Sequence, residues 1–341
     1  MTSSSQVKKS KSESMLKRLC AVKKSFNLRT FTTLILFAFC ILLLTKPAYY
    51  IDSARRGLSL VFSTVLPSLF PFYFFSMLLT KIGAARVLSR MFEKPIFKLY
   101  RTPKESAYVM ILSMISGYPV GASCIKELYL NGIIDKSDAK AMSAFCSTSG
   151  PVFMLGTLGT AIFDSVTVGV IIALSHYIAA FLNGFLYRKN TRNEDLRVIA
   201  QQSADNALSK SMSSATASML IVGGYIVICG MIVDALALLR LDDFILATFG
   251  GAGQPILALI YGSVEMTRGG IECAKCAFRP LGVALAALIV SFGGLSVTFQ
   301  NYTFLSSCNI KPSEVLTRKL THSLIAFSLA FALSLAFKNY L

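Results

Sequence analysis

Two clusters of hydroxyl side chains stand beside glycine and proline in otherwise uncharged stretches of the sequence. Ser147, Thr148 and Ser149 precede Gly150-Pro151, while Ser291, Ser296, Thr298 and Gln300 surround Gly293-Gly294. Helix breakers in the middle of an apolar run end the helix there. A helix broken at membrane depth frees N–H groups at one stump and C=O groups at the other, each with a partial charge. Amide stumps suit carboxylate or phosphate, and carbonyl stumps suit sodium or a proton carrier. Hydroxyls clustered at such a break extend it toward a solute path, whereas an isolated helical serine mostly bonds back to its own helix. Gly117-Tyr118-Pro119 is a further break, in which Tyr118 offers either a stacking face or ordinary packing. Gln254 sits in the Gly250–Pro255 breaker cluster, and Glu265, Thr267 and Arg268 close the same run. Glu265 is the candidate for a coupling cation and Arg268 for an anion, with interfacial anchoring the plainer reading of both. The candidate substrate contacts are thus Gly117, Tyr118, Pro119, Ser147, Thr148, Ser149, Gln254, Glu265, Thr267, Ser291, Gly293, Gly294 and Gln300.

No catalytic residue, metal ligand or cofactor is expected. GxSxG, HExxH and P-loop patterns are missing from the sequence. Cys273 and Cys276 have the spacing of a metal or redox pair, but a lone CxxC reads first as two loop thiols. Cys40, Cys124, Cys146 and Cys229 lie in apolar runs and behave as small hydrophobes. His176 and His322 are far apart in the chain and read as helix-packing residues. The expected spans hold almost no ionisable side chain, which argues against a proton relay.

The elements that must position these residues are membrane helices. Of 341 residues 54% are hydrophobic and 15% charged, against about a quarter charged in soluble domains. Nine uncharged runs appear: 30–45, 57–80, 106–125, 141–163, 165–187, 211–233, 244–264, 280–310 and 320–337. Most reach the roughly 20 residues that cross hydrocarbon. The net charge of +17 does not imply nucleic acid, because the cations flank the runs. Eight of the 34 Lys and Arg precede Phe31, where they hold the amino terminus on the cytoplasmic side and meet anionic lipid. No small-residue cleavage site follows the first run, so it is expected to remain as an anchor helix.

Charge then assigns the rest: 1–29 a basic cytoplasmic tail, 30–56 an anchor helix and loop, 57–187 a first repeat, 211–337 a second. Each half reads as helix, re-entrant hairpin, broken helix, helix, with hairpin tips at Ser116–Gly121 and at Gly250–Pro255. The halves enter from opposite sides, so the expectation is an all-α polytopic membrane protein with an inverted repeat and a midplane site. Incidental glycine kinks are the competing reading.

Several strings carry a family resemblance: Pro67-Ser68-Leu69-Phe70-Pro71-Phe72, Ser116-Gly117-Tyr118-Pro119-Val120-Gly121-Ala122, Phe145-Cys146-Ser147-Thr148-Ser149-Gly150-Pro151, Gly262-Ser263-Val264-Glu265-Met266-Thr267 and Ser291-Phe292-Gly293-Gly294-Leu295-Ser296-Val297. From about residue 57 onward the chain resembles the YlbJ (SpoVV) family of sporulation integral membrane proteins, whose members contain nucleoside-recognition Gate domains. It departs from the family at Ser147, where members carry Asn. The resemblance implies a fold related to concentrative nucleoside transporters and a role in moving dipicolinic acid during endospore formation. A pyridine with two carboxylates suits stump amides, hydroxyls and a stacking tyrosine. A nucleoside carrier and a non-transporting sporulation scaffold are the alternatives, and the assembly state is left open between monomer and homo-oligomer.

Overall fold

The computed structural model describes residues 30–82, 94–189 and 206–341, and every regular element among them is helical. The basic tail 1–29, with its expected lipid contacts, lies outside the described residues, as do Arg192 and Arg197.

The chain divides into two compact units, Met1–Asp52 and Ser53–Leu341. The first holds α1 (Thr30–Thr45) and the opening of α2 (Pro47–Leu60). Pro47 starts α2, where its missing N–H removes no hydrogen bond. Leu34, Phe37 and Leu44 on α1 are exposed, as expected of a surface covered by lipid rather than water.

In the second unit α2 passes through a π-helical stretch, Val61–Val65, into α3 (Leu66–Lys81). After a short helix α4 (94–100) come α5 (Glu105–Ser116) and α6 (Val120–Leu130), separated by Gly117-Tyr118-Pro119. These two fold back on each other, since a Cβ on Gly121 would lie 2.8 Å from Ser113 Oγ. The helix α7 (Lys136–Met142) follows, capped by Asp135 accepting from the Asp138 amide. It ends before the hydroxyl cluster; residues 147–150 are irregular, and the chain resumes as a π-helix over Val152–Ile162. Runs of i→i+5 winding are uncommon and often mark functional segments. Ser165 caps α8 (Val166–Leu186) by accepting from the Val168 amide.

The carboxyl-terminal half runs α9 (Ala207–Leu238), α10 (Leu241–Phe249), α11 (Gly253–Val264), α12 (Met266–Ala274), α13 (Arg279–Phe292), α14 (Gly294–Leu305) and α15 (Pro312–Ala336). Here the structure departs from expectation. The breakers at Gly250–Pro255 do not form a hairpin tip; a single 3-10 turn, Gly250–Ala252, joins α10 to α11 within one apolar span, Leu241–Val264. Pro255 falls in the first turn of α11, where a helix has unpaired N–H groups anyway, so it starts a helix instead of reversing the chain. The reversal comes at Glu265, whose extended backbone separates α11 from α12, and these pack antiparallel with Gly262 against Gly269. The break between α13 and α14 falls at Gly293, inside the expected Ser291–Gly294 stretch.

Among the described residues, five helical stretches are long and apolar enough to cross a bilayer, and up to six if α1 and Pro47–Ser63 count as one bent span. Nine runs thus reduce to five or six spans, because several runs are spent on short helices such as α5 and Val152–Ile162. The α13–α14 stretch is the centre of the bundle, 78% of its most apolar window being buried. By contrast α8 turns Leu174, Ile178, Leu182 and Phe185 outward. A row of exposed aliphatic side chains one and two turns apart is a lipid-facing stripe.

Candidate functional site

The two hairpin tips are pressed against irregular backbone. Gly117 has φ +81°, and a Cβ there would stand 2.5 Å from the Gly150 nitrogen, so the first tip closes on the break that follows Ser149. Gly294 has φ +62°, and its Cβ would stand 2.9 Å from the Gly262 carbonyl oxygen and 3.0 Å from that of Val264. The second break is thereby closed on the second tip. A side chain at either position meets both a left-handed backbone and another strand of backbone, which only glycine tolerates.

Between these contacts lies a cavity of about 120 Å³. Its apolar wall comes from Leu69 and Phe72 on α3, Ile115 on α5, Phe153 on the π-helix, and Val222 and Ile226 on α9. Its polar groups are Ser116, Tyr118, Ser149, Thr157, Glu265, Thr267, Ser296 and Gln300. Four helices begin at this wall. Tyr118 precedes α6, Gly150 precedes the π-helix that Val152 opens, Met266 and Thr267 open α12, and Ser296 and Val297 lie in the first turn of α14. Helix starts present unpaired N–H groups and the positive end of the dipole. One of the four is already occupied: Glu265 Oε2 accepts from the Arg268 amide at 2.9 Å, and Oε1 accepts from Thr267 Oγ1 at 3.2 Å.

Behind the wall, His176 on α8 joins the two breaks. The Ser149 amide donates to His176 Nε2 at 2.9 Å, and His176 Nδ1 stands 2.7 Å from Ser291 Oγ. Because Nε2 accepts, the ring is neutral with its proton on Nδ1, which is donated to the serine. His322 on α15 lies with its ring 4.7 Å from that of His176 and donates from Nε2 to the His176 carbonyl at 3.0 Å. One turn before it, Lys319 places Nζ 3.8 Å from the centre of the Tyr118 ring and donates to the Ser147 carbonyl at 3.1 Å. Tyr118 itself donates to the carbonyls of Val290 and Ser291, at 3.3 and 3.4 Å.

Comparison with known proteins finds 24% identity over 320 residues with "Sporulation integral membrane protein YlbJ" of Bacillus subtilis (strain 168), spanning 84% of this chain and 78% of that protein. The match bears out the YlbJ relationship. No protein-family model matches the chain, and no solved structure does. With an integral membrane relative and five or six apolar spans, the chain is a multi-pass membrane protein. The strings that suggested the YlbJ family are spread over the sequence yet fall on connected parts of the structure. They supply one cavity-lining helix (α3), both hairpin tips and both breaks.

Of the residues expected to contact substrate, Gly117, Tyr118, Ser149, Glu265, Thr267 and Gln300 line the cavity. Pro119 is one residue behind the tip, at the start of α6. Ser147 and Thr148 are buried off the cavity. Thr148 is paired with Ser113, amide to Oγ at 3.0 Å and hydroxyl to hydroxyl at 2.9 Å. Ser291 is held by His176, and Gly293 and Gly294 shape the second break without entering the wall. Gln254 is elsewhere. It donates to the carbonyl and carboxylate of Glu272 at 3.1 and 2.6 Å, at the open end of the second hairpin, because the reversal lies eleven residues further on.

Lys319 is the residue that sequence reasoning passed over, and His176 and His322, expected as separate helix-packing residues, stand with their rings 4.7 Å apart. The last apolar run was bounded at Leu320, which left Lys319 outside it, yet α15 starts at Pro312 and Lys319 is 3% exposed. Its spacing of three from His322, on one helix face, was the available signal. Nothing in the sequence could place His176 against them. Cys273 and Cys276 are buried free thiols, and no cluster of three His, Cys, Asp or Glu occurs among the described residues.

Proposed function

We propose that the chain moves a small aromatic carboxylate across the membrane, dipicolinic acid first, and does no chemistry on it. The observation that carries this reading is the convergence on one cavity of four helix starts, three of them without a side-chain cap. Amide-rich stumps of that kind attract carboxylates without needing a cation in the wall. The apolar sides and the Tyr118 ring suit a flat ring between the carboxylates. The pairing of hairpin tip with break in each half supports an inverted repeat of the kind found in secondary transporters, related to the concentrative nucleoside carriers and their Gate domains. The relative's name, a sporulation integral membrane protein, supports the endospore context.

A second reading is favoured by Glu265 and Gln300. A carboxylate and an amide in the wall, with Gln300 Nε2 donating to Ser296 Oγ at 3.2 Å, suit the hydroxyls of a nucleoside. Glu265 is also the group to which a coupling cation would bind.

The test is uptake of labelled dipicolinate into proteoliposomes holding the full chain, with uridine and benzoate as competitors. Saturable dipicolinate flux, lost in Ser149→Leu, is the expected result. Saturable uridine flux instead selects the nucleoside reading, and folded protein that moves no solute returns the chain to a scaffold role.

A further inference from the structure

Among the described residues, the cavity wall contains one carboxylate and no cation. An entering anion therefore meets helix starts and Glu265, and the net balance of the wall alone favours it weakly. The missing charge stands one ring thickness away. Lys319 is 3% exposed, its Nζ lies 3.8 Å from the centre of the Tyr118 ring, and Tyr118 is itself part of the wall. Among the described residues no carboxylate pairs with it; its one hydrogen bond goes to the Ser147 carbonyl at 3.1 Å. The neighbours on its side of the bundle bring no negative charge. His176 is fixed as a neutral ring by its two hydrogen bonds, and His322 uses its Nε2 proton on the His176 carbonyl. Arg318, next in the chain, turns away to the Glu314 carbonyl and the Tyr187 ring.

An ammonium buried without a counter-charge is costly, so the charged form of such a lysine is favoured when an anion stands beside it, and ionisable residues within membrane segments mark binding and transport paths. We infer that Lys319, as the ammonium that an anion in the cavity stabilises, is the positive charge that makes this cavity selective for carboxylates, acting through the Tyr118 ring. The inference rests on the transport reading and deepens it. The ring excludes water between ammonium and ligand, so the field of Lys319 is little screened where a carboxylate would lie. A solute ring stacked on the cavity face of Tyr118 would complete a cation, ring, ring order, with the carboxylates of the solute drawn to that side. No motion of the hairpin is needed for the charge to be felt.

The experiment is calorimetric titration of the purified full chain in detergent with dipicolinate and with pyridine-2,6-dicarboxamide, its uncharged isostere. Wild type is expected to prefer dipicolinate at least about tenfold, a difference of about 1.4 kcal/mol. Lys319→Gln should lose that preference by weakening dipicolinate alone, and Lys319→Arg should keep it. Equal affinity of wild type for the two ligands overturns the inference without recourse to any variant, as does a preference that survives in Lys319→Gln. Should wild type bind neither ligand, the carboxylate reading itself falls; saturable dipicolinate binding indifferent to Lys319 removes only the role given to the lysine.

Discussion

His176 is the residue on which both breaks depend. It accepts from the Ser149 amide and donates to Ser291, and each bond satisfies a buried group that no helix ladder reaches. Leaving a buried donor unpaired costs about 1–3 kcal/mol. His176→Ala is therefore expected to lower the unfolding temperature in detergent and to reduce dipicolinate flux. Neither Ser149 nor Ser291 can find a partner in the alanine side chain. An unchanged melting curve would mean that the two breaks hold without the histidine. The ring's polarity also fixes the direction of each bond, so His176→Phe, which keeps the volume, should fail as alanine does.

At the level of elements, the close approach of each hairpin tip to a break makes glycine a structural requirement at two points. Gly117→Ala meets both a left-handed backbone and the Gly150 nitrogen at 2.5 Å. Gly132 has φ +68° with open space around it, so Gly132→Ala carries the backbone strain alone. Strain of the backbone type costs about 1–3 kcal/mol, and the clash at Gly117 is added to it. The expectation is a clear ordering in thermal stability, wild type above Gly132→Ala above Gly117→Ala, with flux lost only in the last. Equal losses from the two substitutions would show that the tip has room to retreat from the break. A second junction ties α2, α9 and α12. Asp234 accepts from Ser53 at 2.6 Å, from Arg56 at 2.9 Å and from Arg268 at 2.6 Å. Both arginines are partly exposed, so screening discounts each pair, and Asp234→Ala is expected to cost about 1 kcal/mol in detergent melting, mostly through buried Ser53.

For the whole molecule, the exposed stripe on α8 and the buried α13–α14 stretch define which surface meets lipid. The sequence contains no tryptophan, so a single introduced Trp reports its own depth. Leu174→Trp, at a position 50% exposed, should be quenched by lipids brominated at mid-chain, and Phe292→Trp, next to the second break in the bundle centre, should not. Quenching of both would place the α13–α14 stretch at the lipid surface and dissolve the cavity as drawn.

Much of this was legible in the residues. The uncharged runs fixed the fold class, since a chain with so few charges in stretches of that length has no water-soluble packing. The breaks at Gly117, after Ser149 and at Gly293 were legible because glycine and proline act locally, on the backbone of their own turn. The second hairpin was not. Gly250 and Pro255 have the right chemistry for a reversal but serve a 3-10 turn and a helix start, while the true reversal at Glu265 uses a residue with no turn preference, held by its own bonds to Thr267 and Arg268. Lys319 on α15, His176 on α8 and Tyr118 at the first hairpin tip are separated by up to 201 residues, and their meeting depends on how those segments pack. The sequence by itself determined which segments are apolar and where the backbone can break, because both are properties of neighbouring residues. Only the tertiary structure decided which breaks face one another and which buried charge stands behind the wall, because those follow from contacts between segments that no local pattern encodes.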